Sequence, residues 1–186
     1  MKRTFDILIG IGLLPLAAPL CLIAMIVLGI EMRANPLFLQ TRVGRYRQPF
    51  TILKLRTMRP GTEHVASHEI KSCQITRMGG LVRRSKIDEL PQILNVLKGD
   101  MSFVGPRPCL QSQSELVSER EQRGVFALRP GITGPAQLAG IDMSQPRRLA
   151  KADAAYLEGW SLTQDIKMVF HTFLGKGSGD PAVVRK

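Results

Sequence analysis

The longest apolar stretch of the chain lies close to its N-terminus, where residues 7–30 contain no charged side chain. This run exceeds the roughly 18 apolar residues that indicate a helix able to enter a membrane. A secretory signal has a shorter apolar core of about 7–15 residues, followed by a small-residue cleavage site. Here the run is followed by Glu31-Met32-Arg33 instead. The pattern therefore predicts a membrane segment that stays in the protein.

Two prolines, Pro15 and Pro19, lie within this apolar run. Each removes a backbone donor and clashes with the preceding turn, so they predict a helix–break–helix. Lys2 and Arg3 precede the run, and Arg33 and further arginines follow it. Because basic residues favour the cytoplasmic side, the charges predict a re-entrant hairpin over residues 1–33. A proline-kinked helix that spans the membrane is the alternative.

Shorter patterns follow in the rest of the chain. Residues 37–40 and 50–55 read as two strands of a β-hairpin, and residues 129–135 as a rigid loop. Apolar spacing predicts helices over residues 77–84, from about 87 to 97, over 111–127 and over 147–158. A last apolar stripe is formed by Leu162, Ile166, Val169, Phe170 and Phe173. Such a helix lies on a bilayer surface or packs into a core, and the stripe alone leaves both open.

These elements predict a mostly helical α+β fold. The re-entrant anchor occupies residues 1–33, one cytoplasmic domain with a small β-hairpin and interfacial amphipathic helices occupies residues 34–175, and a flexible tail occupies residues 176–186. The chain has 26 basic and 15 acidic residues, a formal charge of +11. Few aromatic residues and the absence of any nucleic-acid-binding motif argue against a nucleic-acid partner. Anionic lipids and phosphorylated substrates explain the charge better.

The three cysteines offer no disulfide framework, which fits a reducing compartment. His64 and His68 are spaced four residues apart beside Glu69. That spacing places two metal ligands on one face of a helix. The surrounding residues have no helical pattern, and the sequence predicts a surface loop there instead.

Two adjacent carboxylates, Asp88 and Glu89, precede Pro91 in a stretch otherwise rich in Arg and Lys. A helix that begins near residue 87 puts both in its first turn, where the backbone N–H groups favour negative charge. An ionised carboxylate is a nucleophile toward phosphorus and a hard oxygen ligand for Mg²⁺. Acidic residues in a first turn often only stabilise the helix, so the pair by itself leaves both interpretations open.

An anionic nucleophile repels an anionic diphosphate, so phosphate chemistry at this pair requires nearby cations. Arginine can bind a phosphate through two parallel hydrogen bonds. Arg107 lies between Pro106 and Pro108, which stiffen its backbone. The candidate cations are Lys54, Arg56, Arg83, Arg84 and Arg107.

Five motifs then occur in a recognisable order: Lys-Leu-Arg-Thr-Met (54–58), Ile-Asp-Glu-Leu-Pro-Gln (87–92), Asn-Val-Leu-Lys-Gly-Asp-Met-Ser-Phe-Val-Gly-Pro-Arg-Pro (95–108), Arg-Pro-Gly-Ile-Thr-Gly (129–134) and Asp-Ile-Lys (165–167). With the apolar N-terminus, they resemble the bacterial sugar transferase family, in its small monotopic phosphoglycosyl transferase type. Such enzymes initiate the assembly of glycoproteins, capsules, O-antigens and exopolysaccharides. The resemblance covers nearly the whole chain.

The resemblance implies transfer of a phosphosugar from a UDP-sugar to a polyprenyl phosphate such as undecaprenyl phosphate, with release of UMP. It implies that Asp88 forms a covalent phosphosugar intermediate and that Glu89 is a Mg²⁺ ligand or proton acceptor, with Asp88 also close to the metal. Basic residues expected near the phosphates are Lys54, Arg83, Arg107 and Arg129. Further residues matched with less defined roles are Asp153, Asp165 and Gln137.

The resemblance also implies a re-entrant helix in the inner membrane and a site on its cytoplasmic face, where a soluble donor meets a lipid acceptor. The sequence leaves the oligomeric state and the sugar open. The rival hypothesis is a basic membrane-surface protein that binds anionic lipids or partners without catalysis. A third hypothesis is a degenerate transferase that binds the substrates without turnover.

Overall fold

The structure is a computed structural model that describes residues 1–59, 61 and 75–175. The predicted loop with His64, His68 and Glu69 and the predicted tail of residues 176–186 lie outside the described residues. The elements in chain order are α1 (Lys2–Met32), β1 (Leu37–Val43), β2 (Pro49–Leu55), α2 (Arg77–Arg84), α3 (Gln92–Lys98), β3 (Ser102–Val104), α4 (Ser114–Gln122), β4 (Gly131–Thr133), α5 (Pro135–Leu138), α6 (Pro146–Glu158) and α7 (Leu162–Phe173). The protein is thus mostly helical with little sheet, as predicted.

Helix α1 is one continuous helix with Pro15 and Pro19 inside it, so the predicted interruption of the helix is wrong. A proline removes one backbone hydrogen bond, whereas leaving the helix would free several N–H and C=O groups in apolar surroundings. Remaining helical is therefore the less costly solution. By length and composition α1 can cross a membrane, and its best window has a mean hydropathy of 2.6. Only 17% of that window is buried, unlike the core helix of a soluble protein.

One face of α1 packs along the rest of the protein. The buried residues recur at helical spacing: Asp6, Gly10, Ala17, Ala24 and Leu28. At Gly10, an added Cβ would lie 2.7 Å from Cδ2 of Leu97, so glycine permits the close approach to α3. The other face is apolar and exposed, and includes Leu8, Ile11, Leu16, Leu22, Ile23, Ile26 and Ile30. Such an extended apolar surface needs an apolar environment.

Both ends of α1 contact the same folded unit. At its start, the guanidinium of Arg3 donates to the carbonyls of Val96 and Leu97 at the C-terminus of α3, the latter at 2.7 Å. At its end, Oε1 of Glu31 accepts from the backbone N–H of Met78 in the first turn of α2 at 3.2 Å. The start and the end of α1 are therefore tied to one body.

The predicted β-hairpin is confirmed. Strands β1 and β2 are antiparallel, with Leu37 opposite Leu55 and Val43 opposite Pro49. The predicted rigid loop at residues 129–135 is wrong in part, because β4 pairs in parallel with β3. An added Cβ on Gly131 would lie 2.1 Å from the backbone N of Gly105, so these backbones approach as only glycine allows. This pairing joins distant segments, and no local periodicity reports it.

Helix α7 divides its apolar stripe between two environments. Val169 packs against the main core cluster, which includes Val96, Met101 and Val104. Phe170 and Phe173, in contrast, are 61% and 68% exposed. The helix therefore serves the core on one side and leaves an apolar edge on the other.

Candidate active site

The acidic pair lies in a short 3₁₀ turn, Ile87–Glu89, and not in the first turn of an α-helix. The α-helix begins only at Gln92, and Pro91, which has no N–H to donate, is its N-cap. Backbone bonds of the i→i+3 type close the turn, from Glu89 to Lys86 at 3.1 Å and from Leu90 to Ile87 at 3.1 Å. The α-helix thus begins later than predicted, because a 3₁₀ turn precedes Pro91 and the α-helix starts only after it. The turn contacts α1, α2 and β2.

Two cations from separate elements meet at Glu89. Nζ of Lys54, on β2, is 3.0 Å from Oε1 of Glu89, and Nη1 of Arg107, after β3, is 3.8 Å from the same oxygen. Burial alone would raise the pKa of this carboxyl, but Lys54 and Arg107, with Lys86 more weakly, hold its pKa at about 2. Glu89 therefore stays ionised at all physiological pH values. Cations, and not a helix dipole, stabilise this charge.

Asp88 and Arg83 lie beside this contact. Asp88 is 9% exposed and sits in the same turn as Glu89. Arg83 is half-buried in the last turn of α2, which packs against the turn. Of the predicted site residues, the structure thus brings Lys54 and Arg107 to Glu89, with Asp88 in the same turn and Arg83 on the helix that packs against it. Neither Asp88 nor Arg83 lines the two pockets described below.

Buried Asn95 fixes the position of Lys54. Its Nδ2 donates to the carbonyl of Thr51 at 2.8 Å, and its Oδ1 accepts from the N–H of Leu53 at 3.0 Å. Both bonds hold β2 against α3 next to Lys54. Sequence reasoning missed this residue, although a polar side chain between Leu94 and Val96 in an apolar helix was a usable signal.

On one side of Glu89 lies a small space that we call the polar pocket. Its volume is about 10 Å³, enough for one water-sized group. Its polar lining combines three cations with one carboxylate. The lining residues are Arg42, Ile52, Lys54, Glu89, Gln92, Arg107, Pro108, Gly131 and Ile132.

On the other side of Glu89 lies a larger space that we call the apolar cavity. Its volume is about 190 Å³, and hydrophobic side chains from α1, α3, β3 and α7 form most of its wall. The polar residues that line it are Ser85, Lys86, Glu89, Thr133 and Thr172. The hydrophobic wall includes Leu13, Leu90, Ile93, Phe103, Ile132, Val169 and Phe173. Glu89 therefore lines two spaces of opposite chemistry.

A buried ion pair holds the backbone of Arg107 in place. Arg120, on α4, donates from Nε and Nη2 to Oδ2 of Asp153, on α6, at 3.0 and 2.8 Å. Its Nη1 donates to the backbone carbonyl of Arg107 at 2.8 Å. Burial raises the pKa of Asp153, and the charge of Arg120 opposes this. Asp153 thus lines neither pocket and acts through Arg120 on the loop that carries Arg107.

Arg120 was missed by sequence reasoning. It shares one face of α4 with the buried Leu116 and Val117, and this spacing was the available signal.

Asp165 also lies away from the two pockets. Its carboxylate is fully buried and accepts from Nζ of Lys2 at 2.6 Å, from the hydroxyl of Tyr156 at 2.6 Å and from Nε1 of Trp160 at 3.0 Å. Burial, followed by the neighbouring Asp165, raises the pKa of Tyr156. Asp165 thus joins the start of α1 to α6 and α7.

Asp6 has a comparable role and was not predicted. It is buried on α1 and accepts from the Ser102 hydroxyl and from the Phe103 N–H, each at 3.0 Å. Asp6 therefore ties α1 to β3.

Arg129 and Gln137 do not line either pocket. Nε of Arg129 donates to the carbonyl of Gly99, the C-cap of α3, at 2.8 Å. Nε2 of Gln137 donates to the carbonyl of Ile132 at 2.9 Å. The place of Arg129 beside the phosphates stays a prediction, and the contact seen in the structure is the one from its Nε to the C-cap of α3.

Metal binding rests on the acidic pair alone in the part of the chain that the structure describes. No group of three or more His, Cys, Asp or Glu side chains gathers there. Asp88 and Glu89 still fit Mg²⁺, since this ion usually takes one or two carboxylates and completes its shell with waters and substrate phosphates.

Comparison with known proteins assigns the family. The model of the bacterial sugar transferase family matches residues 1–176. UDP-glucose:undecaprenyl-phosphate glucose-1-phosphate transferase of Caulobacter vibrioides is 41% identical over 180 residues, which cover 92% of this chain and 67% of that protein. A UDP-N-acetylgalactosamine-undecaprenyl-phosphate N-acetylgalactosaminephosphotransferase of Aeromonas hydrophila is 36% identical over 92% of this chain, but over only 42% of its own length. An uncharacterized sugar transferase of Bacillus subtilis is 36% identical over 91% of this chain and 83% of its own length. The chain belongs to the bacterial sugar transferase family and is an enzyme of the phosphoglycosyl transferase class.

Proposed function

We propose that this enzyme transfers a phosphosugar from a UDP-sugar to undecaprenyl phosphate or a similar polyprenyl phosphate. The products are a polyprenyl-diphosphate-sugar and UMP, and the reaction is the initiating step of a bacterial glycoconjugate such as a capsule, O-antigen, exopolysaccharide or glycoprotein. The observation that carries the proposal is the position of Glu89, beside Asp88, between a cationic pocket and an apolar cavity. One substrate is a water-soluble dianion and the other is a lipid, so the site must offer both environments.

The chemistry proceeds in two displacements. A carboxylate oxygen of Asp88 attacks the phosphorus that bears the sugar, and the bond from that phosphorus to the bridging oxygen breaks. The electron pair stays on the bridging oxygen, which leaves as part of UMP. An oxygen of the polyprenyl phosphate then attacks the same phosphorus and displaces the carboxylate of Asp88. A carboxylate is ionised at neutral pH, so the first step requires no separate base.

Lys54 and Arg107 offset the negative charge that collects in this site. Both lie within 4 Å of Glu89, and their charges are available to a phosphate that enters. Asp88 and Glu89 would hold Mg²⁺ when it is bound, and the ion would screen the diphosphate from the attacking carboxylate. Lys54 and Arg107 lower the pKa of Glu89 and so make it a weak base at neutral pH. Of the two roles open to Glu89, that of metal ligand is the better supported.

The membrane arrangement in this proposal is a re-entrant α1 in the inner membrane, bent at Pro15 and Pro19 without an interruption of the helix, with the site on the cytoplasmic face. The contacts of Arg3 and Glu31 with the same folded unit support an α1 that enters and leaves on one side. The apolar edges of α1 and α7 flank the apolar cavity, and Phe173 lines it. A polyprenyl chain could then reach the site without leaving the lipid.

The test is turnover together with capture of the intermediate. Purified protein in lipid nanodiscs is incubated with Mg²⁺ and a panel of UDP-sugars, UMP release is measured with polyprenyl phosphate present, and the intact mass is measured without it. We expect one UDP-sugar to give UMP and a phosphosugar adduct at Asp88. Asp88→Asn should abolish both, while Glu158→Gln, at an exposed acidic residue of α6, should retain both.

Two results would overturn the proposal. Full turnover by Asp88→Asn would remove the nucleophile. Absence of UMP formation with every UDP-sugar, together with binding of the protein to anionic vesicles, would favour the non-catalytic membrane-surface protein. The sugar itself is left to the panel, since relatives of this chain are named for glucose and for N-acetylgalactosamine transfer.

A further inference from the structure

Two residues that line the polar pocket carry buried hydrogen-bond donors that have no acceptor among the described residues. Gln92 is 2% exposed, and its Nε2 has no hydrogen-bond partner. Nε of Arg42, which lines the same pocket, also lacks one. An unsatisfied buried donor costs free energy, so native proteins rarely keep one without a ligand or an ordered water. Two such donors in one small space indicate that something else occupies it.

The charge around the pocket identifies the class of occupant. Arg42, Lys54 and Arg107 contribute three positive charges, and Glu89 contributes one negative charge. The other partners of Arg42 are neutral: Nη1 donates to the carbonyl of Pro108 at 3.2 Å, and Nη2 donates to Oε1 of Gln40. Burial, followed by repulsion from Arg107, lowers the pKa of Arg42 to about 10. A negatively charged acceptor would offset the repulsion between Arg42 and Arg107 and would also accept the hydrogen bonds that the unpaired donors lack.

The size of the pocket restricts this acceptor to one atom-sized group. A volume of about 10 Å³ admits a single oxygen and excludes a sugar or a base. The lipid acceptor approaches through the apolar cavity on the other side of Glu89. The polar pocket is therefore left for the soluble donor.

We propose that Arg42 and Gln92 form an anion subsite that receives a non-bridging oxygen of the nucleotide phosphate of the donor, the phosphate that leaves as part of UMP. This rests on the proposed function and deepens it. When Asp88 bonds to the sugar-bearing phosphorus, the bond to the bridging oxygen breaks and its electron pair moves onto the nucleotide phosphate. The donors of Arg42 and Gln92, with Lys54 and Arg107, stabilise that growing charge.

The test separates recognition of the phosphate from recognition of the nucleoside. Dissociation constants of UMP and of uridine are measured on the full chain in nanodiscs with Mg²⁺ and without acceptor lipid. Gln92→Met removes the donor at similar volume, and Arg42→Lys keeps the charge but removes Nε. Each should weaken UMP binding by about tenfold or more and leave uridine binding unchanged. Gln92→Glu should weaken UMP binding further, because it adds a negative charge.

The controls are chosen outside the pocket. Gln122→Met and Arg148→Lys change the same residue types on the surface, and both should keep the wild-type ratio of the two constants. The ratio is taken on one preparation, so a partly unfolded sample does not alter it. If Gln92→Met does not fold, Arg42→Lys gives the answer.

The outcomes of this test separate failure of the proposed subsite from failure of the proposed transferase function. A wild-type enzyme that releases UMP, with variants that keep its UMP-to-uridine ratio, would overturn the subsite alone and leave a water in the pocket. A wild-type protein that neither releases UMP nor prefers UMP over uridine would overturn both.

Discussion

The ion pair between Arg120 and Asp153 allows stability and catalysis to be separated. Both side chains are buried, at 3% and 1% exposure. Asp153→Ala leaves the guanidinium of Arg120 buried without its counter-charge, which should lower the free energy of unfolding by about 3–5 kcal/mol. The double variant Arg120→Met/Asp153→Leu replaces the pair with apolar side chains of similar volume, and should recover most of that loss.

Activity should not recover in the double variant. Arg120 donates a charged hydrogen bond to the carbonyl of Arg107, and such a bond contributes about 1.5–3 kcal/mol. Without it, the loop that carries Arg107 loses its support, and kcat/KM should fall by about ten- to a hundredfold. Urea unfolding gives the first quantity, and UMP release with the preferred UDP-sugar gives the second.

The control is the exposed pair of Glu115 and Arg147, at 61% and 80% exposure. Glu115→Ala should change stability by less than about 1 kcal/mol and leave activity intact. A double variant with wild-type kcat/KM would refute the positioning role of Arg120. A double variant as unstable as Asp153→Ala would refute the electrostatic origin of the loss.

Two further predictions concern the acid range and the membrane. The pKa of Glu89 is lowered from 4.5 to about 2, so its ion pairs stabilise the fold above about pH 4.5, and this contribution is lost as the pH falls toward 2. In urea unfolding, the difference in unfolding free energy between wild type and Glu89→Gln should therefore shrink from pH 7 to pH 3. The same difference for the control Glu115→Gln should stay constant over this range. A constant difference for Glu89→Gln would contradict the lowered pKa. For topology, Thr4→Cys and Asn35→Cys flank the apolar run, and in a background without the native cysteines a membrane-impermeant thiol reagent should label both from the same side. Labelling from opposite sides would establish a spanning helix.

The acid prediction also bears on the metal. Because Lys54 and Arg107 lower the pKa of Glu89, this carboxylate needs no deprotonation before it binds a cation. Binding of Mg²⁺ should then release no proton from Glu89 at neutral pH.

Local patterns were sufficient where one segment determines its own structure. The alternating residues of β1 and β2 with the polar turn between them predicted the hairpin, and the apolar spacing of α6 and α7 predicted both helices. The unbroken apolar run predicted α1, although the effect of Pro15 and Pro19 on it was overestimated. The motifs around Asp88 and Glu89 identified the family, because they are long and occur in order.

Patterns failed where the partner is distant in sequence. The pairing of β3 with β4 depends on the close approach of Gly105 and Gly131, and neither residue shows this in its own segment. Asp153 and Asp165 were grouped with the site as acidic positions, but each is bound by a basic residue from another helix. The contact of Arg129 Nε with the C-cap carbonyl of α3 is likewise between residues far apart in sequence, and its predicted role at the phosphates stays a prediction.

The sequence by itself determined the family, the membrane segment, the acidic pair and most of the helices, since each depends on residues close together along the chain. Only the tertiary structure decided which cations meet Glu89, that an apolar cavity and a polar pocket adjoin it, and that Arg42 and Gln92, which line the polar pocket, carry buried donors without a partner among the described residues. The physical reason is that charge, burial and hydrogen-bond satisfaction depend on three-dimensional distance. Residues far apart in sequence contribute to these quantities only after the chain has folded.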